Sequence, residues 1–402
     1  MNGTDNGKNL ILIAPSLSQG GLERVCVKTA RLLENDYRVT MVIFDEGDAV
    51  YDVSGIRLVN LHLPPANGFA GKILNVFRRA RRLRQIRRDT HADISYSLGI
   101  SANLANVLSG GEGLTLTGLR CQTDMESPKT VKLFCDRSDM VLSCSREIMR
   151  QLHADYRYDR TCYINNPLDT DAIRRQAEEA PGDMPFARET GTFLVAAMAR
   201  DDYIKGLWHL VKSFSLLHQR NEHARLLILG AGDYARLKEL CRELGIADAV
   251  AFPGVKTNPF PYVRAADLYV LSSNHEGFPN ALLEAMALGK PVVAADCKTG
   301  PREIVLSDEE HGRLLREQPD GSSVKHIVEG AFGILVPDMS EQADYDAKNI
   351  TAEDRTLFEA MRMIAEDEAR RQRYALAASR RAADFTPAKY REELLKILEN
   401  VK

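Results

Sequence analysis

LYVLSSNHEGFPNALLEAMALGKPVVAA, residues 268–295, decides the fold. An apolar run at 268–272 leads into a polar turn. Apolar residues then recur at helical spacing over 280–288, Gly289 ends that stretch, and a second apolar run follows at 291–294. Strand, turn, helix, strand is a βαβ unit, which implies a parallel sheet. Pro279 suits the first helical turn, where a missing N–H costs nothing. Glu276 falls on the loop at the strand mouth and Glu284 on the helix, with helix N-terminal amides between them. Amides at a helix start attract anions, so the segment suits a ligand with both hydroxyls and phosphates, such as a nucleotide sugar.

The same alternation extends in both directions. Upstream within one series lie apolar strands at 192–198, 225–229 and 250–252, with helices at 207–220, 234–244 and 262–265. A strand at 333–336 and helices at 352–370 and to about 383 complete that half, and a last helix spans 389–401. An earlier series starts at 9–14, turns at Gly20-Gly21, runs helical over 22–33 and continues through strands at 38–44, 56–61, 94–97, 114–119, 140–144 and 161–164. The expectation is an α/β chain of two Rossmann-like domains. The boundaries are 1–168 with a C-terminal helix 386–402 crossing back, an acidic Pro/Gly-containing linker at 169–190, and 191–385. Residues 307–326, charged and without clear period, read as a surface insertion.

A chain of 402 residues exceeds one ordinary core, and 44% apolar content excludes disorder. A net charge of −3 gives no global signal for nucleic acid. Seven cysteines without Cys-x-x-Cys or zinc-type spacing suggest reduced thiols of a cytoplasmic protein. Residues 1–8 are polar, and no apolar stretch reaches the ~18 residues of a membrane span.

Ligands of open parallel sheets sit outside the strands' carboxyl ends. Arg200 and Lys205-Gly206 follow the 192–198 strand there, as a diphosphate clamp or an ordinary solvated basic turn. Gly230-Ala231-Gly232 spells part of a dinucleotide fingerprint, but no acidic residue ends the next strand, which favours a tight βα turn. Asp169-Thr170-Asp171 and Asp344-Tyr345-Asp346 spell a metal-type motif. The first reads as a helix cap and the second as a polar loop. Residues 72–88 hold seven arginines on an amphipathic helix, among them Arg78, Arg79, Arg81 and Arg82. Either the helix is solvated with its apolar stripe on the domain core, or its basic face meets anionic lipid head groups or the diphosphate of a lipid-linked acceptor.

Gly20-Gly21-Leu22-Glu23-Arg24, Arg200 with Lys205-Gly206, Phe252-Pro253-Gly254, Glu276-Gly277-Phe278-Pro279, Glu284-Ala285, Gly289-Lys290-Pro291-Val292-Val293 and Gly300-Pro301-Arg302-Glu303 stand in that order. This set resembles family 4 of the retaining glycosyltransferases, whose two facing Rossmann-like domains form the GT-B fold. The resemblance covers nearly the whole chain and is strongest over 195–305. It implies that Glu276 contacts the donor sugar, Glu284 the ribose, and Arg200 and Lys205 the leaving diphosphate. Gly277, Phe278, Pro279, Asn280 and Ala281 would surround the sugar and distal phosphate, Val255 would lie at the base, and Gly20 and Gly21 would approach from the first domain. Ala199 stands where the family usually has glycine. Arg120 stands where many members have histidine, which leaves it as a contact to donor or acceptor.

The implied activity is metal-independent, retaining transfer of a hexose or N-acetylhexosamine from a UDP-sugar to a lipid-linked glycan. It would take place at the inner face of the cytoplasmic membrane, with no cofactor. Three rivals remain. A nucleotide-sugar epimerase would need acid/base groups on both domains. A non-catalytic nucleotide-sugar-binding subunit would bind without turnover, and a dinucleotide-dependent oxidoreductase would bind NAD(H) and not UDP.

Overall fold

The computed structural model describes residues 7–18, 20–47 and 49–401, so most of the polar segment 1–8 lies outside it. The chain divides into two units, Met1–Pro167 with Pro387–Lys402, and Leu168–Thr386.

The first unit holds β1 (Asn9–Ala14), β2 (Arg38–Ile43), β3 (Arg57–Asn60), β4 (Ile94–Leu98), β5 (Leu114–Leu119), β6 (Met140–Ser143) and β7 (Thr161–Tyr163). They pair in parallel in the order β3-β2-β1-β4-β5-β6-β7. A parallel strand is covered on both faces, so its apolar run is continuous. Leu10 to Ala14 are accordingly all fully buried. Alternate residues of β1 serve opposite faces. Leu10 and Leu12 pack with Val25 and Ala30 of the helix Gly21–Leu33 and with Tyr390, Leu394 and Leu398 of the helix Pro387–Asn400. Ile11 and Ile13 pack with Leu83 and Ala102 on the other side. The returning helix is fixed by a 2.7 Å hydrogen bond between the Thr29 and Tyr390 hydroxyls and by Arg391, which pairs with Asp36.

The second unit holds β8 (Phe193–Met198), β9 (Ala224–Leu229), β10 (Val250–Gly254), β11 (Leu268–Leu271), β12 (Val292–Ala295), β13 (Val328–Glu329) and β14 (Ile334–Val336). The order is β10-β9-β8-β11-β12-β14-β13, parallel except for the short β13–β14 pair. Two expectations change here. The presumed linker contains a helix, Thr170–Ala177, whose Arg174 donates to Ala287 O (3.0 Å), so it belongs to the second unit's packing. The presumed insertion contains the helix Asp308–Glu317, opened by a reciprocal cap in which Ser307 Oγ accepts from Glu310 N and Glu310 Oε2 from Ser307 N.

Candidate donor site of the second unit

The second sheet reverses its strand order between β8 and β11. Helices leave such a point toward opposite faces, and a crevice opens at the carboxyl ends. The turn after β8 and the loop after β11 meet there. Asn274 N donates to Ile204 O (2.8 Å), and Ser272 Oγ donates to Lys205 O (3.0 Å). Gly206 has φ +55°, and a Cβ there would lie 2.2 Å from Ser272 O, so only glycine permits the approach. The result is a contact the sequence does not announce: Lys205 Nζ lies 2.8 Å from Glu276 Oε1. Both side chains are mostly buried, 19% and 12% exposed, which leaves them reachable by a ligand.

The loop carrying Glu276 is braced from its far side. Thr299 Oγ1 donates to Glu276 O. Gly300, at φ +92°, lets that strand end approach so closely that a Cβ would lie 2.7 Å from Gly277 O. Phe278 packs edge-on against Phe385, with ring centroids 5.3 Å apart, and Gly277 and Pro279 are buried beside it. Pro279 precedes the helix Asn280–Ala287 as its N-cap rather than lying inside the first turn, and it gives no side-chain cap. The amides that open a helix point away from its own carbonyls, and Asn280 and Ala281 stand in that first turn. Glu284 lies one turn on, buried, and its carboxylate and that of Glu276 both act on the Tyr269 phenol, which burial has already pushed up.

Arg200 behaves differently. It stands at the end of β8 as expected, but its guanidinium is more than half exposed and pairs with Asp202 at 2.9 Å. The Gly230-Ala231-Gly232 turn supports this strand end. A Cβ on Gly230 would lie 2.2 Å from Ala199 O, one on Gly232 2.3 Å from Asp201 Cβ, and Asp201 N donates to Ala231 O at 2.8 Å. Those glycines are required by backbone packing, as the tight-turn reading expects. Val255 is half exposed just after β10, following Gly254 at φ +77°.

The neighbouring strand ends add carboxylates. Asp296 and Arg302 form a bidentate pair (2.8 and 2.6 Å) with side chains 0% and 1% exposed. Burial pushes the Asp338 carboxyl up to about 7; Asp296 and Glu341 push the same way, while the Met339 amide and Lys298 oppose. In the window between the ordinary 3.8 and 7 the folded chain holds a proton that the unfolded chain releases, so stability falls as pH rises through it. Asp338→Asn is therefore expected to raise the melting temperature at pH 8 and leave it unchanged at pH 4. The gain corresponds to at most about 4 kcal/mol, read from melts at both pH values.

The Asp-x-Asp motifs have structural partners. Asp169 accepts from Ala172 N (2.9 Å) as a helix cap, and Asp344 accepts from Lys212 Nζ (2.9 Å) and Asn349 Nδ2 (2.6 Å). Among the described residues no group of three or more His, Cys, Asp or Glu is placed to hold a metal ion. All seven cysteines are free thiols.

In the first unit Gly20 and Gly21 lie where the sheet order reverses between β1 and β4. Tyr51, which sequence reading missed, donates its hydroxyl to Gly20 O (2.7 Å) and accepts from Gly20 N (3.2 Å). Arg120, after β5, donates to Asn166 Oδ1 and leaves Nη1 buried without a partner. The basic helix spans Phe69–Asp89, and one member of its expected contact set is corrected. Arg79 is buried, donates to Leu63 O through Nε (3.1 Å) and lies 4.3 Å over the Phe44 ring, so it is a packing residue. Arg78, Arg81 and Arg82 are exposed.

Comparison with known proteins bears on the fold and on the second unit's sequence. Residues 191–331 match the family model described as "Glycosyl transferases group 1". A glycosyltransferase of Methanocaldococcus jannaschii is 28% identical over 274 residues, 67% of this chain and 65% of that protein. The Campylobacter jejuni N-acetylgalactosamine-N,N'-diacetylbacillosaminyl-diphospho-undecaprenol 4-alpha-N-acetylgalactosaminyltransferase is 25% identical over 271 residues, 67% of this chain and 62% of that one. The chain thus aligns with somewhat under two thirds of each of these two relatives. Anabaena HepE, solved in complex with UDP and glucose, superposes with a TM-score of 0.72 at 18% identity, covering 98% of this chain and 99% of its own. Among the described residues no helix is long and apolar enough to cross a membrane. With two Rossmann-like units and this second-unit match, the chain has the GT-B fold and carries over 191–331 the signature of the group 1 glycosyltransferases.

Proposed function

We propose that this chain is a retaining, metal-independent glycosyltransferase of cell-surface glycan synthesis. It takes a hexose or N-acetylhexosamine from a UDP-sugar and adds it to a lipid-linked glycan at the cytoplasmic membrane face. The observation that carries this reading is the Lys205–Glu276 pair at the β8–β11 reversal. An ion pair of this kind is a site waiting for two charges to be separated. A diphosphate takes Lys205, and the sugar hydroxyls donate to the released Glu276 carboxylate. The UDP complex of HepE supports the donor class, and the diphospho-undecaprenol in the Campylobacter relative's name supports the acceptor class.

In the proposed reaction the bond from the sugar's anomeric carbon to the diphosphate breaks, leaving both electrons on phosphate oxygen. The acceptor oxygen bonds to the same face of that carbon, and its proton passes to the departing phosphate. Lys205, Arg200 after turning from Asp202, and the first-turn amides of Asn280–Ala287 stabilise the charge that develops. Glu284 holds the ribose, and Val255 flanks the base.

A thermal-shift screen across nucleotide sugars tests the donor class, followed by donor hydrolysis with the stabilising compound. UDP-sugars are expected to stabilise the protein and to turn over at the same rate with and without EDTA. Stabilisation by NAD(H) alone, or tight UDP-sugar binding with neither hydrolysis nor transfer, would overturn the reading. Loss of rate in EDTA, restored by a divalent cation, would overturn its metal-independent part.

A further inference from the structure

We propose that the exposed face of the helix Phe69–Asp89 docks on an anionic lipid bilayer, its apolar first half entering the acyl boundary and its arginines meeting the phosphate headgroups. The proposal deepens the reading of a lipid-linked acceptor and rests on it only for biological purpose. The surface itself is argued from the helix.

Four large apolar side chains on the first half of this helix point to solvent: Phe69 (82% exposed), Ile73 (43%), Leu74 (50%) and Phe77 (58%). They are half of the eight exposed large hydrophobics among the described residues. At about 100° per residue they share one side of the helix, and over ~12 Å they form a continuous strip. Arg78, Arg81 and Arg82 continue the exposed side along the second half, and no acidic residue occurs between 69 and 88.

The rest of the helix is pinned to the unit. Leu83 and Ala80 are buried, Leu83 in the core with Ile11 and Val42. Asn75 Nδ2 donates to Pro64 O (2.7 Å), and Arg87 donates to Thr115 Oγ1 (3.0 Å) and Glu112 O (2.9 Å). The helix cannot roll to hide its strip without breaking these bonds. Arg78, Arg81 and Arg82, with Leu63 and Gln85, also line a surface cavity of 570 Å³, wide enough for a phosphate headgroup.

This combination matches a bilayer better than other occupants. A strip of Phe, Ile and Leu beside cations is the pattern of an interfacial helix, with the apolar side in the acyl boundary and the cations at anionic headgroups. A second copy of the chain would bring its own arginines against these. Nucleic acid would leave the apolar strip in water.

The test is co-sedimentation of the full chain with vesicles of phosphatidylcholine containing roughly one third phosphatidylglycerol, against vesicles of phosphatidylcholine alone. Strong binding to the anionic vesicles only, at low salt, is expected. The combined variant Phe69→Ser/Ile73→Ser/Leu74→Ser/Phe77→Ser and the combined variant Arg78→Ser/Arg81→Ser/Arg82→Ser should each lower the partition coefficient at least tenfold. A Phe77→Trp protein should show an emission blue shift on adding anionic vesicles, over a constant background from the buried Trp208, the one native tryptophan. That readout stands even where a combined variant unfolds. Equal binding to neutral vesicles, no blue shift, or a strip that instead holds a dimer which the serine variant converts to monomer would overturn the proposal. No sugar is transferred in these measurements, so they can fail while the donor chemistry holds, and the reverse.

Discussion

Lys205→Ala and Glu276→Ala are each expected to lower sugar transfer by about 10²–10³-fold, the scale of losing one preorganised charge at a transition state. The two losses should differ in kind. In the proposed reaction Lys205 faces negative charge that grows as the diphosphate leaves, so its removal should fall mainly on kcat. In the same proposal Glu276 holds the sugar in ground and transition states alike, so its removal should also raise KM for the donor. The 2.8 Å pair complicates stability, because either single variant leaves one charge in a mostly buried place. The double variant removes both charges. Its melting temperature should therefore lie closer to wild type than that of Lys205→Ala, while transfer stays as low. Steady-state kinetics with thermal melts on the three variants gives the answer. Near-wild-type turnover in either single variant would remove the site.

Arg302→Ala should cost the fold about 3–5 kcal/mol, the usual loss when one member of a buried ion pair is deleted. The Asp296 carboxylate, at 0% exposure, would keep the Val324 amide (2.8 Å) and the Ser323 hydroxyl but no positive charge. Burial already pushes this carboxyl up and Arg302 opposes that shift, so without Arg302 it should be pushed up further. A protonated Asp296 is cheaper to bury than a charged one, so the deficit should shrink at pH 5 relative to pH 7.5. Urea melts at the two pH values measure this. The Arg302→Met/Asp296→Asn double variant should recover most of the loss. A deficit below about 1 kcal/mol at pH 7.5 would mean that the pair contributes little beyond its packing. Since the segment after Asp296 carries Thr299 and Gly300, which brace the Glu276 loop, the single variant should also loosen donor binding.

The strands were legible because burial on both faces makes each one a continuous apolar run; β1 and β11 are read almost residue for residue. The helix Asp308–Glu317 was missed because it is short and charged, and the core holds little of it. Its Ser307–Glu310 cap was the available signal. The glycines at 206, 230 and 300 stand out in sequence, but the neighbours that forbid a side chain are carbonyls and loops from distant segments. The Lys205–Glu276 contact was not legible because 71 residues separate its partners and β8 and β11 are neighbours only after two other strands have paired elsewhere. Arg79 and Arg78 differ by one step of helical phase. Nothing local says that Leu63 O needs a donor, so a packing arginine was read as a surface one. Tyr51 lies in irregular backbone, where no period points to Gly20.

The helix Pro387–Asn400 contributes Tyr390, Leu394 and Leu398 to the interior built around β1. On the ribosome these side chains are made only after the whole of Leu168–Thr386. At about 5–20 residues per second, the first-made sheet waits roughly 10–40 s for its last layer. During that wait Leu10 and Leu12 have an incomplete cover, and the nascent chain must be kept from premature aggregation.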